Sequence, residues 1–177
     1  MNDRVYYGGM ERLRDPARLE LLEIDRVVDL SIKQLTVKSM LDVGTGTGVF
    51  AAAFAGRNID VSGIDISESM LVEARRIVPA GKFTTGNMEK IPFEDSSFDI
   101  AFLGLLLHEA DDLGVALLES ARVAKSRVVV LEWPYAVGEK GPPLDHRLKS
   151  AEVISKAALV GFENVQIIQF SRVPSSY

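Results

Sequence analysis

A chain of 177 residues and 19.4 kDa has room for one ordinary domain and not for two. With no cysteine it excludes disulfides, thiolate metal sites and cysteine nucleophiles, and its two histidines, His108 and His146, are too few for a zinc centre, so no metal is expected. A net charge of −5 with no basic run beyond Arg75-Arg76 argues against a nucleic-acid partner, and the longest apolar run, Ile100 to Leu107, is too short to span a membrane, so a cytoplasmic setting is expected.

The N-terminal Tyr6-Tyr7-Gly8-Gly9 is an aromatic, flexible lead. Residues 16 to 35 place apolar side chains at a helical period, with Asp15 as N-cap and Pro16 at the first helical position. Short apolar runs then alternate with helical ones. Strands are predicted at Met40 to Val43, Ile59 to Ile64, Lys82 to Thr85, Asp99 to Leu106, Arg127 to Leu131 and Val165 to Phe170. Helices are predicted at Gly48 to Ala55, Glu68 to Val78, Asp112 to Ala124 and about Arg147 to Leu159, with an irregular excursion from Pro134 to Pro143. Solid Val, Ile and Leu strands between helices indicate a doubly wound, Rossmann-like α/β fold, with a mostly parallel sheet and helices on both faces.

The sharpest local signal is Leu41-Asp42-Val43-Gly44-Thr45-Gly46-Thr47-Gly48, a strand that runs into a glycine-rich turn and then a helix. In such folds this turn receives nucleotide-like ligands, because glycines let the backbone turn sharply and approach the ligand. The dinucleotide fingerprint needs a small third residue where Val49 stands, and no Gly-Lys-Ser/Thr follows, so NAD, FAD and P-loop readings are disfavoured. The next strand ends in Gly63-Ile64-Asp65-Ile66-Ser67, which sets a carboxylate beside the turn, able to accept hydrogen bonds from a ribose diol or to cap the following helix.

These motifs, with Gly86-Asn87-Met88 and the stretch to Asp99, resemble the class I S-adenosylmethionine-dependent methyltransferases, in the group related to the ubiquinone and menaquinone C-methyltransferases. The resemblance implies S-adenosylmethionine as cofactor. It places Asp42 near the methionine ammonium, Gly44, Thr45 and Gly46 along the methionine and ribose, and Asp65 on the ribose diol. Ile66 would pack on the adenine, Asn87 with Met88 would read its edge, and Leu103 and Gly104 would lie by the methionine. Relatives usually carry Asp where this chain has Asn87. The Asn-Pro-Pro-Tyr type of tetrapeptide of amino-methylating nucleic-acid enzymes is missing after the fourth strand, which again disfavours nucleic acid.

His108 and Glu109, after the fourth strand, are the candidate catalytic residues: His108 as a base near neutral pKa, Glu109 as its orienting partner or a substrate ligand. Asp111 and Asp112 read as helix caps. Tyr6, Tyr7, Trp133 and Tyr135 are candidate walls of an acceptor pocket. The division expected within one domain is a cap over 1–37, a cofactor-binding half over 38–133 and a substrate-side half over 134–177. The family sheet ends in an antiparallel strand that is expected to be short or missing here, leaving an open edge that a homodimer could cover. The expected activity is methyl transfer to a small-molecule acceptor; the alternative is a methyltransferase-fold protein that binds without catalysis.

Overall fold

The computed structural model describes residues 9–138 and 140–170, so Tyr6 and Tyr7 lie outside the described residues. Five parallel strands, β1 (Ser39–Val43), β2 (Asp60–Asp65), β3 (Lys82–Thr85), β4 (Phe98–Gly104) and β5 (Ala124–Leu131), form one sheet in the order β3-β2-β1-β4-β5. The chain winds outward from β1 in one direction through β2 and β3, then crosses back to place β4 on its other side. The switch point therefore lies between the carboxyl ends of β1 and β4, where ligands dock in open α/β sheets.

Period-two alternation within buried strands sends neighbouring side chains to opposite faces, and here both faces are apolar. Met40, Ile100 and Phe102 enter one core cluster, which also holds Val27 and Val28 of α3 (Ile24–Ile32), Phe50 and Phe54 of α4 (Val49–Ala55) and Leu71 of α5 (Glu68–Ile77). Leu41, Ala101 and Leu103 enter the other, with Leu117 of α6 (Leu113–Val123) and Ala157 of α7 (Ser150–Leu159). Phe102 sits between Phe50 and Phe54, with ring centroids 4.7 and 5.4 Å away.

Most elements fall within a few residues of their predicted limits, and two do not. The single helix expected over 16 to 35 is two pieces, α2 (Pro16–Leu21) and α3, and a separate short helix, α1 (Met10–Leu13), precedes them. Asp15 does cap α2, its Oδ1 accepting from the Arg18 N–H, but the chain breaks at Glu23, whose φ of 45° no α-helix accommodates. The strand expected over Val165 to Phe170 does not form: the segment has no ladder partner, and Val165, Ile167 and Ile168 are exposed. Its β-prone composition meets the solvent side of the molecule, where composition alone makes no sheet. Phe170 nonetheless returns to the first core cluster, with the Arg26 guanidinium 4.7 Å above its ring. Among the described residues the outer edge of β5 carries no further strand; Ser175 to Tyr177, where a final strand would begin, lie outside the described residues.

Candidate functional site

The β1–α4 turn is built by glycine conformations. Gly44, Gly46 and Gly48 take φ of 67, 53 and 80°, the left-handed region that favours glycine. At Gly44 a Cβ would fall 2.6 Å from the Leu106 side chain, so the β1 turn and the loop after β4 touch directly across the switch point. At Gly48 a Cβ would lie 3.0 Å from the Ala74 Cα, which fixes the close approach of α4 to α5.

Two carboxylates organise this turn. Asp65, at the end of β2, accepts the Gly46 N–H at Oδ2 (2.9 Å) and the Ser67 N–H at Oδ1 (2.9 Å), so it holds the turn and also starts α5. Burial pushes its carboxyl above the usual range, against those backbone hydrogen bonds. Asp42 is almost wholly buried and accepts the Thr45 hydroxyl at 2.7 Å. Burial raises its carboxyl to about 7, more than the Thr45 hydrogen bond lowers it. A buried acid with so weak a hold on its charge is a natural partner for a cation. Thr47 Oγ1 is also buried and has no hydrogen-bond partner among the described residues. Leu13 of α1 comes within 3.5 Å of where a Gly46 Cβ would stand, so α1 touches the glycine turn.

Around the turn, Ile66 stays exposed beside Asp65, an apolar surface without cover. The loop carrying Asn87 and Met88 is clamped from α6. Arg122 donates to the carbonyls of Ile91 and Phe93 and pairs with Glu119 and Asp95, while Glu119 Oε2 accepts the Ile91 N–H. Asn87 is exposed, and its Oδ1 accepts the Glu89 N–H (2.7 Å), so part of its side chain closes a local turn. Met88 packs partly into the second core cluster. Leu103 is fully buried in that cluster, so what it can offer a ligand is backbone, and Gly104 is pressed against Phe50 and Phe102.

At the other side of the switch point, a 3-10 turn at Leu107–Glu109 carries His108 into the interior, 5% exposed. Its hydrogen-bond partner is Glu132, the first residue beyond β5, whereas Glu109, for which orienting His108 was one of the open readings, acts on it through charge. His108 Nδ1 stands 2.9 Å from Glu132 Oε2 and 3.2 Å from Oε1, and Glu132 Oε1 also accepts the His108 backbone N–H (3.1 Å). Burial disfavours the imidazolium, but the Glu132 hydrogen bond and charge, with help from the charge of Glu109, hold His108 above its ordinary value. The register pairs Gly104 with Leu131, which is why the residues following each strand meet. A glutamate directly after an apolar strand was the visible signal for this pairing. Asp112 caps α6 as expected, accepting from the Gly114 and Val115 N–H groups.

Trp133 is buried in the first core cluster under Gly141, so the indole fills the upper edge of the sheet; Tyr135 is exposed, with the Lys149 ammonium 5.0 Å from its ring centroid. Arg147, which the sequence did not single out, is buried and donates to the carbonyls of Pro134, Ala136, Lys140 and Pro142. It gathers the excursion after β5 around one guanidinium. Among the described residues no cluster of His, Asp and Glu could hold a metal ion.

A parallel sheet with a three-glycine turn at its switch point and an acid ending the next strand defines an α/β protein of the class that binds nucleoside-like ligands at that turn. A family model described as a methyltransferase domain matches residues 41–131, just over half of the chain, and the chain belongs to that family. Among curated relatives, the malonyl-[acyl-carrier protein] O-methyltransferase of Serratia marcescens is 34% identical over 57% of this chain and 40% of that protein. The demethylmenaquinone methyltransferase of Chlorobaculum tepidum is 40% identical over 49% of this chain and 36% of that protein. The chain thus spans well under half the length of these two relatives. A crystal structure of a SAM-dependent methyltransferase from Aquifex aeolicus superimposes with a TM-score of 0.79 at 25% identity, covering 93% of this chain and 92% of that one.

Proposed function

We propose that this protein is an S-adenosylmethionine-dependent methyltransferase acting on a small-molecule acceptor. The observation that carries the reading is the glycine turn tied through the Gly46 N–H to Asp65 at the switch point of a methyltransferase-family sheet. The donor set suits this cofactor. Asp42 offers a buried carboxylate to its ammonium, Gly44, Thr45 and Gly46 line its methionine and ribose, and Asp65 keeps lone pairs for its diol. Thr47 Oγ1 offers a further polar atom without a partner among the described residues, Ile66 an apolar face for the adenine, and Asn87 and Met88 its edge. The backbone of Leu103 and Gly104 closes the methionine side.

Bound S-adenosylmethionine supplies a methyl group on a sulfonium, whose leaving group is already excellent. The chain's own contribution is then mainly proximity and alignment of the acceptor for in-line attack. His108 acts as base and Glu109 as an acceptor-side polar group. Tyr135 of the 134–177 segment is the described candidate wall for the acceptor, with the edge of Trp133 at the end of the cofactor half beside it; Tyr6 and Tyr7 of the 1–37 segment remain candidates outside the described residues. No described helix is long and apolar enough to cross a membrane, and the charge of −5 suits a small molecule in the cytoplasm better than nucleic acid. The open edge of β5 is the surface through which two copies would pair. Calorimetric titration with S-adenosylhomocysteine tests the cofactor reading directly.

A further inference from the structure

Glu132 has no role in the reading above, yet it makes the most constrained side-chain arrangement at the switch point. One carboxylate accepts from the His108 backbone N–H and faces the His108 ring, while its Oε2 also lies 3.3 Å from the Trp133 N–H. The Glu132 side chain is 14% exposed and that of His108 6%, so the pair sits in a low-dielectric setting where geometry counts. A carboxylate can only accept, so the ring nitrogen facing it carries the hydrogen. Nε2 is thereby left as the lone-pair nitrogen, and among the described residues it has no hydrogen-bond partner. The turn that bears this ring begins just after Leu106, the side chain that touches Gly44.

Resting on the methyltransferase reading, we propose that Glu132 is a positioning residue that fixes His108 with its proton on Nδ1 and makes Nε2 the site's proton acceptor, so that the acceptor is a group that must lose a proton, a hydroxyl or an acidic carbon, and not a carboxylate that is already ionised.

The step balances without a further reagent. The acceptor's electron pair forms the new bond to the methyl carbon, the sulfur keeps the pair of the broken carbon–sulfur bond, and the acceptor's proton passes to Nε2. The imidazolium, held by Glu132, then returns that proton to solvent. The charged groups facing His108 are Glu132 beyond β5, Glu109 on its own turn and Arg147 ahead of α7; the two acids favour the imidazolium and Arg147 opposes it.

Because the chain holds only two histidines, imidazole nitrogen NMR resolves His108 from His146 without any acceptor, with His108→Gln identifying the signals. The expected spectrum of the neutral ring shows Nδ1 protonated and Nε2 bare, and Glu132→Gln, which keeps an oxygen for the backbone N–H groups, moves the His108 midpoint to lower pH. A neutral ring protonated on Nε2, or a midpoint that Glu132→Gln leaves in place, overturns the proposal. In turnover, a phenol or a 1,3-dicarbonyl probe should lose at least tenfold in kcat with His108→Gln, and the acid limb of its profile should move down in pH with Glu132→Gln. Methylation of a simple carboxylic acid at a rate that His108→Gln leaves unchanged also overturns it. S-adenosylhomocysteine binding by all three proteins separates these results from a failure of the cofactor reading itself.

Discussion

Asp42 and His108 are both buried, and both have raised pKa values, but they answer to different neighbours. Asp42 has its folded-state pKa raised to about 7 by burial, against an unfolded value near 3.9. The native state therefore binds more protons than the unfolded state between those values, and stability falls as pH rises from about 4 to about 7. Asp42→Asn, which keeps an oxygen for the Thr45 hydroxyl, should match the wild type at pH 4 and exceed it at pH 8 by on the order of 2–4 kcal/mol in denaturant titrations. Equal stabilities at pH 8 would show that Asp42 holds its charge without strain. His108 acts in the same direction: its raised value contributes stability below about 6.5 that is lost as pH rises through the folded pKa. At this scale the sequence exposed the glycines and acids of the β1 turn and the candidate His108, but neither Glu132 nor its pairing with His108. Glycines and acids at fixed offsets from strands are visible in a string of letters. That Glu132, not Glu109, hydrogen-bonds the His108 ring depends on the β4–β5 register, which adjacent residues do not encode.

At the scale of elements, the legible parts were those whose signals are local. Asp15 and Pro16 start α2, Asp112 starts α6, and the β1 turn announces itself by its glycines. Continuous periodicity over 16 to 35 hid the break at Glu23, because a left-handed residue leaves no mark on an apolar pattern. The Pro134 to Pro143 excursion was legible as a loop, but not the device that holds it. Arg147 reaches four carbonyls with one planar fork, an arrangement that a lysine ammonium cannot reproduce. Arg147→Lys should therefore cost nearly as much as Arg147→Ala, about 3 kcal/mol from orphaned buried carbonyls, and both should speed proteolytic cleavage within the excursion. A lysine variant with wild-type unfolding temperature and cleavage rate would show that the carbonyl cluster contributes nothing.

For the whole molecule, solid apolar strands alternating with helices were enough to give a doubly wound parallel sheet with two buried faces. They were not enough to decide the sheet's end: β-prone residues at Val165 to Phe170 form no strand, and the outer edge of β5 carries no further strand among the described residues. The open edge of β5 is a template for pairing, and the exposed Val165, Ile167 and Ile168 add β-prone apolar surface. Sedimentation velocity should reveal dimer formation that grows with concentration and is weakened by Ile168→Lys; a monomer at every concentration would remove pairing through this edge.

The central claim is that the turn at 44–48 and Asp65 form one site for S-adenosylmethionine. Isothermal titration with S-adenosylhomocysteine tests it most directly. Binding of one ligand per chain is expected, weakened by about 1–3 kcal/mol, or roughly tenfold to a hundredfold, in Asp65→Ala through loss of charged hydrogen bonds. No heat at millimolar ligand, or equal binding by Asp65→Ala, would contradict the account.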